Sequence, residues 1–184
     1  VVRAGGGVNT TAIQIARLVG ARPIYVVGSS AAKLAHARAL GADEVINRAE
    51  VDWGREMYRL TARQGVDVVV DNVGAATFAQ SLRALRRGGR LLTVGNSSGP
   101  RFELDNRYLF AKHLTIIGST MGTSADYEKV MGLIFAGRLR PVIDTVYQLR
   151  DATTALTRLR DGDVMGKLVL RIPPADAEES SEAG

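Results

Sequence analysis

The chain has no cysteine among its 184 residues, which excludes disulfides, thiolate nucleophiles and thiolate metal sites. It has two histidines, His36 and His113, and neither stands in a spacing such as H-E-x-x-H, so no metal site is expected. His36 reads as the solvated side of an amphipathic helix, and His113 as the structural start of a strand. No apolar run approaches the length of a membrane span. The opening also lacks the charged-then-apolar layout of a secretory signal. A cytoplasmic protein with no membrane partner is the expectation. Aromatic residues are only 5% of the chain, and none is interleaved with its densest basic cluster, Arg83 and the LRRGGR that follows. Without stacking rings that cluster reads as a solvated helix end capped by Gly88, and no nucleic-acid partner is expected.

Basic residues are missing from the last twelve positions, PPADAEESSEAG, which carry Asp176, Glu178, Glu179 and Glu182. Those four acids hold the net charge to +5, so the preceding 172 residues carry +9. The tail has no hydrophobic periodicity and reads as disordered over 173–184.

The apolar content of 46% suffices for one good core. Its pattern alternates between strand and helix. After the opening turn, Ala12, Ile13, Ala16 and Val19 recur at helical spacing. Strands follow at 23–28, 44–47, 66–71, 90–95 and 113–119, with helices at 33–40, 53–63, through Phe78, Leu82 and Leu85, and at about 125–136. Trp53 anchors a helix start, and Met121 and Met131 are read as packed. VDVVVD and LTIIG are near-continuous apolar runs, as strands covered on both faces should be. The fold class is therefore α/β, a doubly wound parallel sheet of right-handed βαβ units. Residues 1–137 form this unit. From 138 to 172 the rhythm changes to two strands bracketing a helix at 151–161, a return segment.

Open parallel sheets bind ligands at the carboxyl ends of their strands, and the first strand–helix turn takes a pyrophosphate. The window here is Ala4-Gly5-Gly6-Gly7-Val8-Asn9. Gly6 lets the backbone approach the phosphates and the amides after it donate to them. Asn9 stands where a glycine is usual and is read as a helix N-cap. A NAD site places an acid at the end of the second strand. Gly28, Ser29, Ser30 and Lys33 stand there instead, which favours the 2′-phosphate of NADP and leaves NAD possible.

The series GGVNTTAIQIARLVGARPIYVVGSSAAKLAHARALGADEVIN, GVDVVVDNVG, LRRGGRLLTVGNSSG, LTIIGSTMGT and GKLVL resembles the nucleotide-binding half of the medium-chain dehydrogenase/reductase superfamily. These are the zinc-type alcohol dehydrogenases and quinone oxidoreductases, and the likeness covers residues 1–172. It implies a Rossmann-type sheet with Gly5, Gly6, Gly7 and Val8 under the pyrophosphate and Ser29, Ser30 and Lys33 around the adenosine ribose. Asn72, Val73, Gly95, Asn96 and Ser97 would border the cofactor. Gly118, Ser119 and Thr120 would approach the nicotinamide, with Lys167 near it after the chain returns.

The resemblance also implies what this chain does not carry. The superfamily's catalytic residues, and zinc where it is used, belong to a separate N-terminal domain. The chain is thus expected to be the C-terminal half of a longer oxidoreductase, starting just inside the first strand. It would act on an alcohol, carbonyl or activated alkene as a small-molecule substrate. The LTIIG strand is expected at the sheet edge, where family members commonly form homodimers. Two other readings stay open: a short-chain-type dehydrogenase using Tyr108 and Lys112 at their Tyr-x-x-x-Lys spacing, and a non-catalytic NADPH-binding module.

Overall fold

The computed structural model describes residues 1–173, so the expected disordered tail lies, from residue 174 onward, outside the described residues. In chain order the elements are α1 (Gly7–Leu18), β1 (Tyr25–Gly28), α2 (Ala31–Ala39), β2 (Glu44–Asn47), α3 (Trp53–Leu60) and β3 (Val66–Asp71). They continue as α4 (Phe78–Ala84), β4 (Leu85–Thr93), α5 (Asn106–Lys112), β5 (Thr115–Gly118) and α6 (Ser124–Phe135). Last come β6 (Ile143–Gln148), α7 (Ala152–Asp161) and β7 (Lys167–Arg171).

Local chemistry sets these boundaries. The Ser30 hydroxyl accepts from the Lys33 amide at the start of α2, and the Asp52 carboxylate accepts from the Gly54 and Arg55 amides at the start of α3. Thr123 and Asp126 form a reciprocal capping box on α6. Trp53, first in α3, is buried as expected, and Met57 packs one turn later.

All strand pairings are parallel: β1 with β2, β3 with β4, β4 with β5, and β6 with β7. The opening segment joins the first two groups, because Val2 bridges Val27 on one side and Asp71 on the other. The order across the main sheet is therefore β2, β1, the opening segment, β3, β4, β5. Two cores lie on its two faces, as double winding requires. Ile13, Val26, Leu34 and Ala37 pack with α1 and α2, while Trp53, Met57, Phe78, Leu82 and Leu91 pack with α3 and α4. At the amino end of the opening segment, between β1 and β3, lies a largely apolar cavity of about 600 Å³ lined by Val2, Ile24, Val66 and Val68.

Five expectations need correction. The apolar strands are not covered on both faces, for every residue of β5 is exposed and Val68 of β3 is 47% exposed. The LRRGGR stretch does not end a helix. The chain leaves α4 at Ala84, and Leu85 already pairs with Val66, while Arg90 pairs with Val68. The residues between form a bulge containing Gly88, because the partner strand offers Leu85 a buried place that a further helical turn would not. His113 is the left-handed C-cap of α5, with β5 beginning two residues later. His36 is half-buried rather than solvated, and its Nε2 is enclosed without a hydrogen-bond partner among the described residues. Met121 is 96% exposed, so it does not pack.

Candidate functional site

Because every strand of the main sheet runs the same way, their carboxyl ends lie along one edge. The opening segment is threaded between β1 and β3 by three backbone bonds: Val2 N to Val70 O, Arg3 N to Val27 O, and Val27 N to Val1 O, at 2.9–3.0 Å. This delivers Ala4–Gly7 to that edge. Gly6 is the N-cap of α1, with φ 92° and ψ 152°, a conformation that residues with a Cβ avoid. Among the described residues no side chain caps α1, so its first amides are left for an outside acceptor. Asn9, expected as the helix N-cap, is therefore not the cap. Asn9 sits inside the first turn, fully buried. Its Nδ2 donates to Gly5 O at 3.2 Å and to Asn72 Oδ1 at 3.3 Å, while its Oδ1 is buried without a partner among the described residues.

Two lysines reach this turn from distant parts of the chain. A Cβ added at Gly7 would stand 2.7 Å from the Lys167 Nζ, and one at Gly5 would stand 3.1 Å from the Lys33 Cδ. Glycine is thus needed at position 7 so that the Lys167 ammonium can lie over the first turn of α1. Lys167, which the family resemblance puts near the nicotinamide, contacts the glycine turn in this structure. The Lys33 ammonium donates to Gly162 O at 2.7 Å.

The loop between α7 and β7 that brings Lys167 here is itself held in place. Arg158 donates to Asp144 at 3.1 Å and to Thr145 Oγ1, Tyr147 OH and Asp163 O, each at 3.0 Å. The Met165 amide donates to Asp144 at 2.8 Å. The Thr145 hydroxyl, the Met165 amide and Arg158 together hold the Asp144 carboxyl below its ordinary range.

The other sequence-selected residues occupy the same edge. Gly28 ends β1 against Leu34 and Ala4, Ser29 is exposed beyond it, and the Ser30 hydroxyl is committed to the α2 cap. Beside them the Arg48 amide donates to Gly28 O at 2.9 Å, and its side chain is in no ion pair among the described residues. Arg48 was missed from sequence; its signal was its position one residue past the strand expected at 44–47.

Asp71 was also missed. It is 1% exposed at the end of β3, and its carboxylate accepts from the Val73 and Gly74 amides and from the Thr77 and Ser81 hydroxyls. This fixes the Asn72–Gly74 turn. The Ser97 hydroxyl and amide both reach Asn72 O at 3.3 Å, and Arg3 donates to the Ser97 hydroxyl at 3.2 Å. Gly95 and Asn96 flank this bond, and Val73 is buried beneath it. At the next strand the Ser119 amide donates to Thr93 O at 3.0 Å, leaving Gly118, Ser119 and Thr120 exposed at the rim.

Tyr108 and Lys112 are not part of this edge. The Lys112 ammonium donates to Arg83 O and to Leu85 O, the first residue of β4, and so lies at the sheet's opposite edge. Burial lowers its pKa. Tyr108 lies under the Arg83 guanidinium, 5.7 Å from its ring centre.

A glycine turn capping a helix at the switch between β1 and β3, open to an anion, defines a doubly wound dinucleotide-binding domain. Comparison with known proteins gives the family. Residues 7–136 match the family described as zinc-binding dehydrogenase, and the chain belongs to it, within the medium-chain dehydrogenase/reductase superfamily. A NAD-dependent alcohol dehydrogenase of Saccharolobus solfataricus is 33% identical over 175 residues, 92% of this chain and 49% of the relative. Of solved structures, a NAD-dependent alcohol dehydrogenase superposes with a TM-score of 0.88 at 39% identity, over 94% of this chain and 50% of that one. The 2-octenoyl-CoA carboxylase reductase CinF, solved with NADP and 2-octenoyl-CoA, superposes with a TM-score of 0.85 at 32% identity, over 100% and 46%. The chain spans about half the length of the relatives it matches. For the zinc of the family description there is no fit here: among the described residues no three His, Cys, Asp or Glu side chains gather into a metal site.

Proposed function

We propose that the intact protein transfers hydride between a nicotinamide dinucleotide and an alcohol, a carbonyl or an activated alkene, and that this chain supplies the dinucleotide site. The observation that carries the reading is the uncapped amino end of α1, with Gly6 open above it and the Lys167 ammonium over Gly7. Gly5, Gly6, Gly7 and Val8 would cradle the pyrophosphate, with Lys167 neutralising it. Gly28, Ser29 and Lys33 would surround the adenosine ribose, with Ser30 holding the loop and Arg48 beside it. Two cations, and the absence of an acid from residues 28–33 after β1, favour NADP over NAD. Asn72, Val73, Gly95, Asn96 and Ser97 would border the middle of the site, and Gly118, Ser119 and Thr120 the nicotinamide.

The nicotinamide supplies the hydride chemistry when bound; these residues bind and orient it. Residues 1–137 act as the dinucleotide unit and 138–172 as the segment returning towards a catalytic domain, which supplies the substrate pocket and any zinc. The exposed apolar side chains Ile143, Val146, Leu156 and Leu159 support that docking. A homodimer is proposed through β5, which pairs only with β4 among the described strands and exposes Ile116 and Ile117. Among the described residues no helix is long and apolar enough to cross a membrane, and a cytoplasmic site of action is proposed.

Titration of the 184-residue chain with NADPH and NADH, read by nicotinamide fluorescence and calorimetry, tests the reading. Binding of NADPH at least tenfold tighter than NADH supports both the turn and the ribose assignment. Binding of neither overturns the reading.

A further inference from the structure

On the flank of the sheet, α3, α4 and α5 border a second, open pocket of about 640 Å³, separate from the glycine turn. Five cations line it: Arg55, Arg59, Arg63, Arg83 and Lys112. Asp52 is the one carboxylate among its lining residues, and its contact with Arg55 is a loose 3.9 Å. Arg59 is paired to Glu56 at 2.6 Å. Arg63 and Arg83 are in no ion pair among the described residues. Lys112 spends two of its three donors on the Arg83 and Leu85 carbonyls, each at 2.8 Å, and keeps the third.

Gathering positive charge around one concavity is unfavourable unless an anion visits it, and such a cleft focuses field on that anion. Guanidinium groups match phosphate oxygens two donors at a time. Two tyrosines complete the wall. Tyr108 is already covered by Arg83, whereas Tyr58 is 45% exposed and offers a free ring. The volume lies within the ~300–1,000 Å³ of small-molecule sites, and walls on three helices suit a small ligand better than an extended polyanion.

The geometry points to a binding site for a small phosphorylated ligand that carries an aromatic ring, of which a nucleoside diphosphate is the simplest. The site stands on residues other than those assigned to the nicotinamide dinucleotide, so both ligands bind together.

The test is calorimetric titration of the 184-residue chain with ADP while NADPH is held at saturation. One ADP should bind per chain, weakened at least tenfold by Arg63→Ala and by Arg83→Ala, with NADPH affinity unchanged. Tyr58→Ala should weaken ADP while leaving inorganic pyrophosphate binding unaltered. Circular dichroism of the three variants, all changed at exposed positions, separates lost contact from lost fold. The inference is overturned if ADP gives no binding heat, if neither arginine substitution alters it, or if NADPH displaces it. It is equally overturned if a single-stranded oligonucleotide binds there and ADP does not. Should NADPH itself fail to bind, the two arginine variants still decide the matter with ADP alone.

Discussion

The side-chain amide of Asn9 donates to the side-chain oxygen of Asn72 across 3.3 Å, joining residues 63 positions apart. Asn9 belongs to the first turn of α1 and Asn72 to the loop after β3, so one bond fixes the spacing between two walls of the proposed dinucleotide site. The same amide also holds Gly5 O. Replacing Asn9 with alanine should lower the unfolding free energy by about 1 kcal/mol, the usual net worth of a hydrogen bond. It should also weaken NADPH several-fold. Denaturant melts and fluorescence titration of Asn9→Ala read both; unchanged affinity would mean that the two walls keep their spacing without it.

Gly7 and Lys167 should behave as a coupled pair. Gly7→Ala forces the Lys167 side chain off the turn, and Lys167→Met removes the charge. Each single change should weaken NADPH at least tenfold. The double variant should bind no worse than Lys167→Met alone, because the ammonium is already gone. Additive losses would show that Lys167 does not act through the turn.

Asp71 is a buried carboxylate whose removal leaves two amides and two hydroxyls without their acceptor. Asp71→Ala should cost about 3 kcal/mol. Asp71→Asn should cost less in stability yet still disturb Asn72–Gly74, because an amide cannot accept all these bonds. Thermal melts of both variants rank them.

Asp144 carries a pH prediction. Its carboxyl titrates below the ordinary 3.8 because the Thr145 hydroxyl, the Met165 amide and Arg158 favour the charged form. The folded protein thus holds fewer protons here than the unfolded chain between the two values. The stabilisation is complete above the unfolded pKa and is lost as pH falls through the lower, folded one. Asp144→Asn should reduce stability at pH 7 and flatten the acid limb of the stability curve below about pH 4. Equal steepness in both proteins would remove Asp144 from the acid response.

Much of the fold was legible because its strands carry strong local signals. Val66–Asp71 holds four valines in six residues, helices begin after Ser30 and Asp52, and the first of these stops just before Gly41. The glycine turn was legible for the same reason, since the Gly6 conformation is written in one residue. What was not legible depended on partners far along the chain. Leu85 continues a helical pattern, and only its pairing with Val66 turns it into strand. Asn9 looked like an intrusion because Asn72, its partner, is invisible to local reading. Lys167 was picked out by likeness to a family, but its seat over Gly7 depends on a loop held by Asp144 and Arg158. Arg48 and Asp71 escaped notice because neither residue type is unusual just after or at the end of a strand.

The seam at the middle of the sheet has a mechanical meaning. β2 and β1 form one plate, β3, β4 and β5 another, and Val2 makes the bridges between them. The amides of Val2, Arg3 and Val27 lie along the line where the two plates meet. Gly28 sits on one plate and Asn72 on the other. A ligand stretched from one to the other works as a brace, so occupancy of the proposed site should be felt first as stiffness along the seam.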